Sequence, residues 1–267
     1  MSDQGVKGRR LKKRILSALL FAPGIVLAVA FGPPWAFEAL ILSASVLALR
    51  EGGKLLWGKT TFTAIALGVL PPIGALWGER GLTLATVCSL PLSFLFSLRE
   101  GPTKARAEAF VGLCFLILYI GWPMAFFVLS KQMPQGLYWI FALVLGVWCG
   151  DTAALFVGLW IGKRPLCPSL SPKKTVEGAV AHFMGVAFGV LTVRVFFLSG
   201  ASALKVLSFV LAIGILSQIG DLSESLLKRS AGVKDSGGLI PGHGGVLDRI
   251  DSFVFTSPFL YYLLKLS

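Results

Sequence analysis

An all-α, polytopic integral membrane protein with about nine transmembrane helices is the fold class this sequence predicts, and three observations carry that expectation. Hydrophobic residues fill 55% of the 267 positions and charged residues only 14%, with a mean hydropathy of +0.79. A soluble domain carries about a quarter charged residues. The apolar residues gather into runs close to the ~20 residues an α-helix needs to cross a bilayer. Lys and Arg fall in the short gaps between the runs, and they fall unequally.

Taken in order, residues 7–14 (K-G-R-R-L-K-K-R) form a basic block followed by an apolar run over 15–31. Pro23, Pro33 and Pro34, and the absence of a small-residue cleavage site, predict a retained first helix rather than a signal peptide. Further runs lie at about 35–56, 61–77, 82–98, 109–129, 137–161, 177–198, 204–222 and 252–266, the last one short. No polar linker interrupts them, so a single membrane-embedded domain is expected over 1–267, with scaffold-like helices in 1–135 and the catalytic half in 136–267.

Alternate gaps should carry contrasting basic loads if the helices cross one after another. On the side of the N-terminus lie the six cations of the leader, then Arg50, Lys54 and Lys59, Arg99, Lys104 and Arg106, Lys163, Arg164, Lys173 and Lys174, and Lys228, Arg229, Lys234 and Arg249. Together they are twenty of the twenty-five, leaving Arg80, Lys131, Arg194, Lys205 and Lys265 for the other side. The N-terminus and the polar loops are therefore expected on the cytoplasmic face of the cell's inner (plasma) membrane. The net charge of +12 follows this loop pattern and no amphipathic face, which points to anionic lipid and away from nucleic acid.

Four cysteines, Cys88, Cys114, Cys149 and Cys167, show no C-x-x-C spacing, and the first three lie in apolar runs. They read as small buried hydrophobes, not as a zinc site or a disulfide framework. A Walker-type phosphate loop, a dinucleotide-binding glycine motif and an H-E-x-x-H zinc motif are all absent.

The polar positions within or beside the runs carry the chemistry. Asp151 sits well inside the sixth run, where an ionisable group is a functional-site candidate by default. The segment G-K-R-P-L-C-P-S-L-S-P-K-K-T-V-E-G over 162–178 holds three prolines that forbid a continuous helix. Ser171, Lys173, Lys174 and Thr175 then stand where the seventh helix is expected to begin, a place that favours anions, with Glu177 one turn further in. At the end of the eighth run, Asp221, Glu224 and Ser225 share a helical face with Lys228 a turn later. Asp248 and Asp251 repeat the i, i+3 spacing at the start of the ninth run. His182, inside the seventh run, reads as a hydrogen-bonded residue of the bundle.

The densest stretch is S-L-L-K-R-S-A-G-V-K-D-S-G-G-L-I-P-G-H-G-G-V-L-D-R-I-D, from Ser225 to Asp251. Its cations and glycine-exposed backbone N–H groups suit phosphate oxygens, and its carboxylates suit Mg²⁺. This stretch resembles the signature of the phosphatidate cytidylyltransferases, or CDP-diacylglycerol synthases. The resemblance extends to Gly220–Asp221, to the S-P-K-K-T-x-E-G run at 171–178 and to the surroundings of Asp151 at 148–158. Leu155 stands where that family commonly has an aromatic, and the amino-terminal half matches in hydropathy only.

The resemblance implies an enzyme of phospholipid biosynthesis that transfers CMP from CTP to phosphatidic acid, giving CDP-diacylglycerol and pyrophosphate. It also implies a requirement for Mg²⁺, a monovalent cation such as K⁺ beside it, and a homodimer. Asp221, Asp248 and Asp251 are expected as metal ligands, with Asp151 and Glu224 as second candidates. Asp221, Asp248, Lys228, Arg229 and Asp251 form the catalytic set. Lys234, Gly242, His243, Gly244, Gly245 and Arg249 are expected at CTP, Ser171, Lys173, Lys174 and Thr175 at the lipid head group, and Asp235 and Glu177 among the substrate-binding residues.

Two other readings fit parts of the pattern. A CTP-dependent lipid kinase would transfer the γ-phosphate and release CDP. A transporter would also explain acids at membrane depth, although no internal repeat is visible and the polar residues collect on one face.

Overall fold

The computed structural model describes residues 33–239 and 244–266. The expected first helix at 15–31, and the loop residues Gly242 and His243, lie outside the described residues. Eleven α-helices follow in chain order. They are α1 Pro34–Trp57, α2 Phe62–Gly68, α3 Leu70–Gly74, α4 Gly78–Ser97, α5 Thr103–Leu116, α6 Trp122–Lys131, α7 Gly136–Ile161, α8 Val176–Phe197, α9 Ala203–Ser230, α10 Leu247–Val254 and α11 Thr256–Lys265.

The fold is mostly helical, and among the described residues five stretches are long and apolar enough to cross a membrane: Phe62–Ser97, Thr103–Lys131, Gly136–Ile161, Val176–Phe197 and Ala203–Ser230. These are fewer than the apolar runs of the sequence, for physical reasons. Helix α1 has the length but carries Glu38, Arg50, Glu51 and Lys54. The runs at 61–77 and 82–98 form one helical stretch, broken at Gly78, whose φ of 80° suits a residue without a Cβ. The last run is divided between α10 and α11, of eight and ten residues.

One departure from an all-helical chain is a short antiparallel pair, β1 Pro165–Cys167 with β2 Ser171–Thr175, which places Pro165 opposite Thr175 and Cys167 opposite Ser171. Pro165, Pro168 and Pro172 deny the segment helical hydrogen bonds, and the residue before each proline is pushed towards extended backbone. Ser171 and both lysines are therefore strand residues, and the helix starts only after Thr175. All four cysteines are free, but Cys88 is exposed and the other three are half-buried, so the reading of all four as buried hydrophobes is corrected.

The chain divides into two compact units. One comprises the described residues up to Gly121 together with Ala231–Arg249; the other comprises Trp122–Ser230 with the described residues from Ile250 onwards. In the first, glycines let helices touch through their backbones: a Cβ on Gly121 would run into the Gly68 carbonyl, and one on Gly81 into that of Gly74. In the second, α7 and α8 meet along a seam of Gly146, Gly150 and Gly158 facing Gly178, Gly185 and Gly189. Close contact through small residues is how helices associate where lipid is as apolar as the side chains. The outward faces of these two helices carry exposed Leu159, Trp160, Met184 and Phe188, the surface a hydrocarbon solvent requires.

Candidate active site

In the second unit, β2 delivers two lysines to the start of α8. Thr175 is the N-cap of that helix, and its Oγ1 accepts the Gly178 N–H at 3.1 Å, as its expected place at a helix start requires. Glu177 closes the base of the hairpin: its Oε2 accepts the N–H groups of Lys163 (3.1 Å) and Arg164 (3.3 Å). Ser171 is half-buried and Lys173 exposed. The lysine that reaches inward is Lys174, whose ammonium forms an ion pair with the Asp221 carboxylate of α9.

Helix α9 runs unbroken through the acids at the end of the eighth apolar run. Glu224, fully buried, is paired with Lys228 one turn on. Arg229 donates from Nε to the Leu170 carbonyl at 3.3 Å, which ties the end of α9 to the hairpin turn.

Asp251, on α10, is 8% exposed, and its backbone carbonyl lies so close to Gly220 that a Cβ there would collide with it. Glycine next to Asp221 thus lets α9 and the Asp251 backbone approach closely. Helix α10 is not among the five candidate spans. Burial first, and then the neighbouring Asp221 charge, push the Asp251 carboxyl up to about 7, and Lys228 opposes this rise. Two acids this close favour a cation beside them.

Asp151 and His182 complete the cluster. The Asp151 carboxylate lies 3.5 Å from His182 Nδ1, while His182 Nε2 is 2.9 Å from Ser217 Oγ. At 2% exposure, His182 is the hydrogen-bonded bundle residue expected from sequence.

The first unit holds the other part of the signature. Asp248 Oδ2 accepts the Ser236 N–H (2.9 Å), the Ser236 hydroxyl (2.8 Å) and the Gly245 N–H (2.7 Å). Gly244 has φ of 81°, and a Cβ on it would stand 2.7 Å from the same oxygen, so both its backbone and its surroundings call for glycine. Lys234, Asp235 and Arg249 are exposed. Asp248 and Asp251 lie on one helix, as their spacing predicts.

Sequence reasoning passed over Glu51. It is buried in α1 and accepts the Leu247 N–H at 2.8 Å. The available signal was an acid towards the end of an apolar run, masked there by Arg50 and Lys54.

Among the described residues, no three or more His, Cys, Asp or Glu side chains cluster as a metal cage. Magnesium does not need one, because it is commonly held by one or two carboxylates together with substrate phosphates and water. Asp221 beside a buried Asp251 is a donor set of that kind. What the fold and these side chains define is a helical protein with several candidate membrane spans and a group of acids and lysines in its second unit.

The comparisons narrow this class. The model of the cytidylyltransferase family matches residues 12–267, and the chain belongs to that family. It is 33% identical over 281 residues to the phosphatidate cytidylyltransferase of Bacillus subtilis (strain 168), covering 96% of this chain and 98% of the relative. It is 30% identical over 311 residues to phosphatidate cytidylyltransferase 5, chloroplastic, of Arabidopsis thaliana, covering 100% of this chain and 75% of the relative. A phosphatidate cytidylyltransferase of a Synechocystis species is 42% identical over 151 residues, 54% of this chain and 49% of the relative.

Proposed function

We propose that the acid and lysine cluster of the second unit carries out the family's reaction: CMP passes from CTP to phosphatidic acid, forming CDP-diacylglycerol and pyrophosphate. The observation that carries the assignment to this cluster is buried Asp251 close to α9 at Gly220–Asp221, with Lys174 paired to Asp221 and Lys228 paired to Glu224 one turn further along the same helix. The phosphatidate monoester is largely ionised at pH 7, its second pKa being about 6 by analogy with protein phosphoesters. Its oxygen therefore attacks the α-phosphorus of CTP without a general base, and pyrophosphate leaves with the electron pair of the broken P–O bond.

The protein's task is then to hold two polyanions in line and to neutralise the charge that builds up at phosphorus and on the leaving group. Lys174 and its neighbours Ser171, Lys173 and Thr175 receive the lipid phosphate. Lys228 and Arg229, with Lys234 and Arg249 from the signature loop, bind CTP phosphates. Asp221 and Asp251, with Asp248 on the same helix as Asp251, would hold magnesium, and Asp151 and Glu224 are further candidates. When bound, the ion supplies positive charge to the phosphate oxygens. A second, monovalent ion such as K⁺ is part of this reading.

The same reading sets the protein in the inner membrane with about nine crossings, acting as a homodimer, with its N-terminus and active site cytoplasmic. The concentration of twenty of the twenty-five Lys and Arg in alternate gaps supports that orientation.

Product analysis tests the reaction. Purified protein given phosphatidate, CTP and Mg²⁺ should release one pyrophosphate for each liponucleotide formed. Release of CDP, with a phosphorylated lipid, would instead identify a kinase.

A further inference from the structure

Glu51 stands 185 positions before Ser236 and 196 before Leu247, yet its carboxylate touches both ends of the signature loop. Oε2 accepts the Leu247 N–H, in the first turn of α10, at 2.8 Å, and lies 3.2 Å from the Ser236 hydroxyl. Ser236 is itself buried, and its hydroxyl lies 2.8 Å from Asp248 Oδ2. A hydroxyl has one proton to give, so it serves one of the two carboxylates at a time and couples Glu51 to Asp248. Gly237 and Gly245 lie flat against the Glu51 carboxylate, where a Cβ on either would collide with it.

A carboxylate is costly to bury unless its oxygens are hydrogen-bonded, and the donors at Glu51 come from the loop that carries Asp248. We infer that Glu51 is a positioning residue for CMP transfer: it ties Ser236 and Leu247 to α1 and, through Ser236, fixes the orientation of Asp248. The inference rests on the reading above, in which Asp248 takes part in that transfer. Glu51 itself touches neither substrate nor metal in this role.

The experiment compares the full-length parent enzyme with E51A, E51Q, S236A and the E51A/S236A double variant. It measures transfer of α-label from CTP into lipid at saturating substrates, and thermal unfolding alongside. E51A should lower kcat tenfold or more, as loss of a residue supporting a ligand typically does. E51Q, which keeps an acceptor oxygen for Leu247 and Ser236, should recover most of that loss.

Because Glu51 and Ser236 act along one path, the double variant should be no slower than E51A alone. If E51A does not fold, G237A, whose Cβ presses on the Glu51 carboxylate, must lower kcat more than threefold. E51A turnover within twofold of the parent, or single losses that multiply in the double variant, overturns the inference and leaves the reaction standing. A parent that moves no label into lipid overturns both.

Discussion

Asp248 separates two roles that one carboxylate can fill. Its Oδ2 already takes three donors from Ser236 and Gly245, which orders the loop whether or not a cation is bound. Asp248→Asn keeps an acceptor oxygen but loses the charge, so it should reduce kcat at least tenfold while expression and melting stay near those of the parent. A variant that keeps more than a tenth of the rate would restrict Asp248 to ordering the loop. Lys174 offers the complementary test. Removing it leaves Asp221 without its ion-pair partner at a half-buried position, so Lys174→Ala should cost more than tenfold in kcat/KM, and exposed Lys173→Ala distinctly less. Equal losses would contradict the distinction between the two lysines. Asp248 was legible in the sequence because it stands in the signature, and Lys174 because it stands in the S-P-K-K-T run before an expected helix start. Glu51 was not: its partners lie 185 and 196 positions away, and only folding brings them together.

Among the elements, the hairpin and the α7–α8 seam show where sequence patterns suffice and where they stop. Three prolines excluded a helix over 165–172, but hydropathy gave no reason to expect two paired strands there. Long apolar runs identified α7 and α8 correctly. The glycines that join them do not shift the hydropathy of either helix enough to announce which face is buried. A Cβ at position 185 would run into the backbone of Cys149, and one at 189 into the backbone of Gly146. Gly185→Leu should therefore force the helices apart and destabilise the protein by about 1–3 kcal/mol, the usual cost of overpacking. The check is the melting temperature in detergent. Met184→Leu, an exposed lipid-facing change one residue away, should leave it unaltered.

At the scale of the whole molecule, hydropathy foretold a membrane protein and the signature foretold its chemistry. The division into two compact units that interleave along the chain was not visible in either. The signature itself is divided between them: Ser225–Ser230 and Ile250–Asp251 belong to one unit, and the residues between to the other. Orientation is testable with a native probe. Cys167, in the hairpin, should react with an impermeant maleimide in sealed inside-out vesicles but not in right-side-out ones, using a variant with the other three cysteines changed to serine. The reverse pattern would place the hairpin outside. The measurement that bears most directly on the central claim is label transfer by the parent and Asp221→Asn side by side, with CTP labelled at the α-phosphate, phosphatidate and Mg²⁺. The parent should move the label into lipid, and the variant should retain less than a tenth of that rate. Equal rates in the two proteins would contradict the placement of the reaction at the Asp221–Asp251 pair.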